Sequence, residues 1–266
     1  ALVSRPDHFG ASYTVPATAP CGQARILVSS EDDSGNVSSL QQNLQVNTAT
    51  LNVTVNLTGV VNPSPVTRWI RFVVGGTGGA NSAVSLDKLV SFTNGTGTAS
   101  FNAYDLLPCS AITHVSAKDP RHTLRKQEPL TGTGNQFLAT VNLKGGDANN
   151  SNTIDILDYG IFAVQYGSNP GPNTTVGQAS LSADFSATGG VDTADYTFIA
   201  TGFLSIGENE PGMFGRNAPL TRCTPRQMAA ATGKSLKLVQ SMDLDQDGWI
   251  TASEISGWLK GKRAEQ

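Results

Sequence analysis

The sequence predicts a multidomain chain in which all-β sandwich regions are followed by small α-helical modules. Two observations carry that expectation. Between Leu51 and Lys144, apolar and polar residues alternate in short runs separated by Gly, Asn and Pro turns, the signature of half-buried strands. After Lys144, one spacing of acidic, amide and hydroxyl residues occurs three times, each time leading into a helix-forming run. At 266 residues the chain has room for two to four small domains, and boundaries are expected at 1–50, 51–145, 146–207 and 208–266.

In the first region Ala24 to Ser29 alternates as a strand, Asp32 to Asn36 supplies turn chemistry, and Leu40 to Val46 returns. A strand that ends in Asp-Asp-Ser-Gly-Asn before a polar return resembles the last hairpin of immunoglobulin-like domains in bacterial surface proteins. That resemblance implies an incomplete Ig-like region. Since a lone hairpin is marginal in water, residues 1–50 are expected to complete a sheet supplied by an upstream region, another subunit or the next domain. A hairpin solvated on both faces would count against this.

The second region reads as a β-sandwich. Candidate strands are Leu51 to Leu57, Trp69 to Val74, Val84 to Phe92, Thr98 to Tyr104, Ile112 to Ala117 and Phe137 to Leu143, with turns at 62–65, 75–79, 94–97 and 131–135. Trp69 is expected in the core. Lys118 to Lys126 is the one basic cluster: it is either a patch for acidic polysaccharide or an acidic partner, or a solvated turn and strand face, and the solvated face is the commoner case.

The three repeated stretches fit a twelve-residue calcium loop, whose oxygens come from positions 1, 3, 5, 7, 9 and 12. The first supplies Asp147, Asn149, Ser151, Thr153, Asp155 and Asp158; the second Asp184, Ser186, Thr188, Gly190, Asp192 and Asp195; the third Asp243, Asp245, Asp247, Trp249, Thr251 and Glu254. Position 6, which needs a positive φ, is Asn152, Gly189 and Gly248. Position 8 is Ile154, Val191 and Ile250, apolar and β-branched, as expected if paired loops form a short bridge over a shared core. Helices are expected at Ile156 to Tyr166, Thr193 to Phe203 and Pro225 to Met242, the last with Thr224 as N-cap and Gly233 weakening its middle; Ile255, Trp258 and Leu259 mark one more apolar helix face.

Glycine and proline before the first two loops leave no entering helix, so each is a loop with an exiting helix only and Asp at position 12. This tandem resembles the type I-like dockerin module over roughly 146–207. The resemblance implies two bound calcium ions and, through positions 10 and 11 of each repeat (Ile156 and Leu157, Thr193 and Ala194), a surface that selects a cohesin-like partner. The third loop, with a helix on each side, resembles an ordinary EF-hand. Its four carboxylates at direct ligand positions, against two in each earlier loop, make it the tightest of up to three calcium sites. A sandwich running into a dockerin resembles the C-terminal region of large secreted proteins from bacteria such as planctomycetes.

A net charge of −3 provides no basic field for nucleic acid, and no apolar run reaches the length of a membrane span. Cys21, Cys109 and Cys223 have no metal-ligand spacing; two of them bridged, or three buried thiols, are both open. The sequence carries no nucleophile elbow, zinc helix or phosphate loop. The function expected is that of a non-enzymatic, calcium-binding extracellular or cell-surface protein of structural assembly or adhesion, with a protein partner by self-association or a cohesin-like module. The alternatives are a cohesin-docking module or the non-catalytic C-terminal part of a secreted carbohydrate-active enzyme, and polysaccharide binding stays open.

Overall fold

The computed structural model describes residues 2–5, 8–11, 14, 16, 22–46, 48–76, 83–102, 106, 112–133, 135–170, 181–209 and 218–264. Two antiparallel pairs come first, β1 (Leu2–Arg5) with β2 (His8–Ala11) and β3 (Gly22–Glu31) with β4 (Val37–Val46). In the turn between β3 and β4, the Asp32 carboxylate accepts from the Ser34 and Asn36 backbone N–H groups and from the Asn36 amide, while Gly35 takes a φ of +78°. The hairpin is therefore built as its turn chemistry demands. Among the described residues it pairs only with itself, and residues 25–44 are exposed on both faces, Leu40 at 70%. The sheet of the next region does not complete it, contrary to one of the expectations for residues 1–50.

The alternating runs become β5 (Thr50–Thr58), β6 (Val66–Gly75), β7 (Ala83–Thr93), β8 (Thr96–Phe101), β9 (His114–Lys118) and, with β10 (Lys126–Pro129) and β11 (Thr131–Thr133) before it, β12 (Gln136–Lys144). In place of the two facing sheets of a sandwich, all eight strands form one sheet in the order β10-β9-β6-β7-β8-β5-β12-β11. β5 and β12 lie parallel and in register from Thr50 opposite Gln136 to Thr58 opposite Lys144; the other neighbours are antiparallel. On the open face Asn56 bonds Asn142 at 2.9 Å and accepts from Thr96, and Ser100 donates to Asn52, a polar ladder that fixes the register of three strands.

The sheet curls until its ends approach. Leu124 N–H donates to Lys144 O and Gly146 N–H to His122 O, so the turn after β9 closes onto the end of β12. Leu51, Val53, Val55, Ile70, Phe72, Val74, Val141 and Leu143 fill the interior. Trp69 is only half-buried, on the other face of β6.

Among the described residues five helices follow: α1 (Ile156–Gln165), α2 (Thr193–Gly202), α3 (Pro225–Thr232), α4 (Leu236–Gln240) and α5 (Ala252–Ala264), with a small bridge of β13 (Arg222–Cys223) and β14 (Ile250–Thr251). α1 and α2 stop within a residue of expectation. The expected helix from Pro225 to Met242 starts as foreseen, with Pro225 first and a Thr224–Gln227 capping box, but breaks into α3 and α4 at Gly233, whose φ of +64° ends the first. One connected apolar core runs from Ala49, just before β5, through the sheet, α1 and α2 to Leu259 in α5. Phe198 of α2 lies over Gly59 and Gly145, just past the ends of β5 and β12, and Met228 of α3 over Gly160 of α1, where no larger residue leaves room.

A Cβ on Gly145 would stand 2.7 Å from the Phe198 ring. Gly145→Ala is therefore expected to cost about 1–3 kcal/mol of stability, and much less once Phe198 is also changed to Ala. Urea denaturation of both single variants and the double variant measures this; additive losses would mean that the ring does not meet position 145.

Candidate functional site

The three acidic loops share one backbone solution. Position 6 is left-handed in each, at Asn152 (φ +64°), Gly189 (+94°) and Gly248 (+89°), and so is position 4, at Asn150 (+63°), Ala187 (+61°) and Gln246 (+61°). Two reversals so close together turn successive N–H groups inward, and the carboxylates at the loop ends receive them. At position 1, Asp147 accepts from Ser151 N–H and Asn152 N–H, Asp184 from Thr188 N–H and Gly189 N–H, and Asp243 from Gly248 N–H. At position 12, one oxygen of Asp158, Asp195 or Glu254 accepts from N–H groups at position 2 or 3 and the other from the N–H of position 9.

Position 9 does double work in the first two loops. Asp155 and Asp192 are the N-caps of α1 and α2, each closing a capping box with the position 12 aspartate, so loop closure and helix initiation are the same event. This Asp-x-x-Asp signal is legible in the sequence and was not used there. Ile154, Val191 and Ile250 at position 8 are all buried, but the bridges differ from a direct pairing of loops. Ile154 exchanges backbone bonds with Leu204 and Ser205 just after α2, Val191 with Gly167 and Ser168 just after α1, and Ile250 pairs with Cys223. The first two loops thus hold each other reciprocally, and the third is held by the segment before α3.

The loops differ in burial. In loop 1 Asp147, Thr153, Asp155 and Asp158 are buried, with Asn149 and Ser151 half-buried; in loop 2 Ser186 and Asp195 are buried, Asp184 and Gly190 half-buried, and Thr188 and Asp192 exposed. In loop 3 Glu254 is buried, Asp243 and Thr251 are half-buried, and Asp245, Asp247 and Trp249 are exposed. Carboxylate oxygens of Asp243, Asp245 and Asp247 lie within 4.8 Å of one another, and Asp243 Oδ1 is buried with no hydrogen-bond partner. Carboxylates that close repel, and an orphaned buried oxygen is costly, so the donor set of loop 3 fits a hard cation. The oxygens of loops 1 and 2 are of the same chemical kind, carboxylate, amide and hydroxyl.

The sheet reaches both inner loops. Lys118, at the end of β9 and 4% exposed, donates to Asp147 Oδ2 at 2.7 Å. Arg68 of β6 donates to the carbonyls of Asp184 and Phe185 and pairs with Asp119 at 3.1 Å, and Asn62 donates to Ala187 O. The Asn152 amide accepts from Arg125 N–H and donates to Glu208 O. The basic segment 118–126 is thus largely an internal clamp, with Lys118, Arg121, His122 and Arg125 all buried, and not the solvated face expected. β9 is buried on both faces, with Val115 and Ala117 on one and Ser116 and Lys118 on the other, which is why its lysine is not in water.

Burial pushes both Asp147 and Asp158 up from the usual carboxylate range; Lys118 opposes the shift at Asp147, while the neighbouring Asp147 charge adds to it at Asp158. Burial likewise lowers Lys118, against the pull of Asp147. The Cys223 thiol is free and buried, and pushed up to about 12 chiefly by desolvation, so it is inert in the folded chain. Cys21 and Cys109 lie outside the described residues. No helix of the described residues is long and apolar enough to cross a membrane.

Compared with known proteins, the chain matches no family model, no curated protein and no solved structure.

Asp119 and His122 give a pH test of the clamp. Burial works against the charged form of Asp119, but His122, Arg68 and the Arg121 N–H hold its carboxyl far below the usual range; burial and then Arg68 push His122 down from 6.5. The positive partner of Asp119 at neutral pH is therefore Arg68. The unfolded chain binds a proton at His122 that the folded chain resists, so stability falls as pH drops below the ordinary histidine value; the Asp119 contribution is lost lower still, below 3.8. Relative to His122→Gln, the wild type is expected to lose stability, read as the denaturation midpoint, between about pH 7 and pH 5, while Asp147 and Asp158, raised by burial, contribute in the opposite direction to both proteins. An equal pH response in both proteins would remove His122 from the account.

Proposed function

We propose that the chain is a non-enzymatic, calcium-stabilised structural protein of the extracellular space or cell surface, with calcium taken up by the three acidic loops. The observation that carries this reading is the frame common to all three: left-handed backbone at positions 4 and 6, and end carboxylates held by inward N–H groups. Three unrelated turns have no reason to share it. Loops 1 and 2 with α1 and α2 are read as a dockerin-like pair, and loop 3 as an EF-hand.

Asp147, Asn149, Ser151, Thr153, Asp155 and Asp158 would hold one ion, Asp184, Ser186, Thr188, Gly190, Asp192 and Asp195 a second, and Asp243, Asp245, Asp247, Trp249, Thr251 and Glu254 a third. A bound calcium ion supplies charge that lets the gathered carboxylates coexist, and so favours the folded loops. Millimolar affinity, as expected of few-carboxylate loops, suits an extracellular setting.

Assembly is favoured over docking by two contacts. Ile156 is fully buried and Leu157 half-buried, with the backbone of Ile156 and the Asp155 carboxylate tied to Leu220, so repeat 1 has little to offer a cohesin-like partner; Thr193 and Ala194 of repeat 2 remain exposed. The β3–β4 hairpin, with Leu27, Val28, Val37 and Leu40 in solvent, leaves apolar strand surface open to self-association.

Calorimetric titration of the chelator-treated chain tests the central claim. Uptake of up to three calcium ions is expected, with Asp243→Ala losing one of them and leaving the far-ultraviolet strand signal in place. No uptake at millimolar calcium would end the reading.

A further inference from the structure

Lys118 occupies a position that nothing in the calcium-loop pattern requires. Its ammonium is buried, stands 2.7 Å from Asp147 Oδ2, and comes from the sheet 29 residues earlier in the chain. Asn152 N–H donates to the same oxygen at 2.8 Å, and Ser151 N–H to Oδ1 at 3.0 Å. Loop 2 provides the comparison. Gly189 N–H donates to Asp184 Oδ2 at 3.0 Å and Thr188 N–H to Oδ1 at 3.1 Å, the same two bonds without a lysine. In loop 3 Gly248 N–H takes Asp243 Oδ2 and Oδ1 is left without a partner. The lysine therefore bonds the oxygen that the loop turns toward its own position 6, and leaves the other for the loop interior.

We propose that Lys118 is a built-in counter-cation of loop 1. It is a positioning residue, holding the Asp147 carboxyl group oriented whether or not calcium is bound, so that loop 1 keeps its ligand arrangement without metal while loops 2 and 3 depend on the ion. Three observations combine here. Asp147 and Asp158 are both fully buried in one loop, which low dielectric makes untenable without a positive charge nearby. Lys118 is that charge, and Asp147 is its hydrogen-bonded ion-pair partner. Among the described residues no lysine or arginine forms an ion pair with a carboxylate of loop 2 or loop 3, and Arg68 reaches loop 2 only through the carbonyls of Asp184 and Phe185.

The inference rests on the calcium reading, and one set of measurements separates the two. Folding stability of the full chain is measured in chelator and in saturating calcium for the wild type, Lys118→Met, Lys118→Arg and the double variant Lys118→Met/Asp147→Asn. Lys118→Met is expected to lose on the order of a hundred-fold in the folding equilibrium in chelator and to recover most of it in calcium, because the ion then supplies the missing charge. Lys118→Arg keeps the charge and stays near wild type. The double variant, in which Asp147 loses its charge together with its partner, recovers in chelator but takes up one calcium ion fewer in calorimetry. A Lys118→Met deficit of equal size with and without calcium, or a double variant no better than Lys118→Met in chelator, would overturn the proposal and leave Lys118 a plain structural ion pair. A wild type indifferent to calcium in both stability and calorimetry would instead remove the calcium reading beneath it.

Discussion

Buried charge is the constraint on which the rest of this molecule depends. Asp147 and Asp158 are taken entirely out of water, and isolated carboxylates do not survive there. The compensation comes from the sheet, through Lys118 on Asp147 and through Arg68, which both neutralises Asp119 and caps the carbonyls of Asp184 and Phe185. That arrangement needs β9 beside β6 and needs the turn after β9 to fold back onto the end of β12, where loop 1 begins. The strand order is thus tied to the loops: an eight-stranded sheet in another order would leave Asp147 facing no cation. Removing one partner of such a pair costs more than never having had it, which makes sheet and loops a single cooperative structure.

The most acidic of the three loops is also the most open. Loop 1 is roofed by the 206–208 segment and by Leu220 and has its own lysine; loop 3 carries the most carboxylates and stands open, its Asp245 and Asp247 in water. A cation taken up at loop 3, as proposed, would meet solvent directly, whereas loop 1 is closed by protein. Linkage adds about 2.7 kcal/mol per site at a hundredfold excess of ligand over Kd. That is a substantial share of the stability of a small domain, and the more so for loop 3, whose α3 and α4 are short and separated at Gly233.

How much of this the sequence disclosed follows from how local each feature is. The loop registers, α1 and α2, and the left-handed position 6 are fixed by residues a few places apart, and Asn152, Gly189 and Gly248 announce themselves. Position 4 does not, since Ala187 and Gln246 are not residues one expects at positive φ; the loop frame imposes it on them. Alternation marked the longer strands but carries no information on neighbours, so one continuous sheet with a parallel β5–β12 pair was read as a sandwich. Thr131–Thr133 and Lys126–Pro129 are too short to show a period. The basic segment misled for a physical reason: most charge runs are solvated, and what reverses that for Lys118 is a carboxylate in a loop the sequence places in another region.

The two loop-helix repeats are near copies in backbone but not in surroundings, and that asymmetry determines which faces remain for other molecules. Tyr166 and Phe203 end their helices alike, and Gly167 and Leu204 follow with φ of +76° and +64°. Yet α1 is enclosed: Gly160 receives Met228, and Tyr159 OH meets Ser256 Oγ at 2.8 Å, so the C-terminal helices cover it. At the matching place α2 offers Thr197, too large to admit a methionine in the same way, and its Thr193, Ala194, Tyr196 and Thr201 stay in solvent. The third loop, without another loop to pair with, takes Cys223 as its bridge instead and so is completed within the chain. An odd loop is therefore no argument for a second molecule. Among the described residues, the outer face of α2 and the two faces of the β3–β4 hairpin stay open, and of these two the hairpin exposes strand edges together with a run of large apolar side chains.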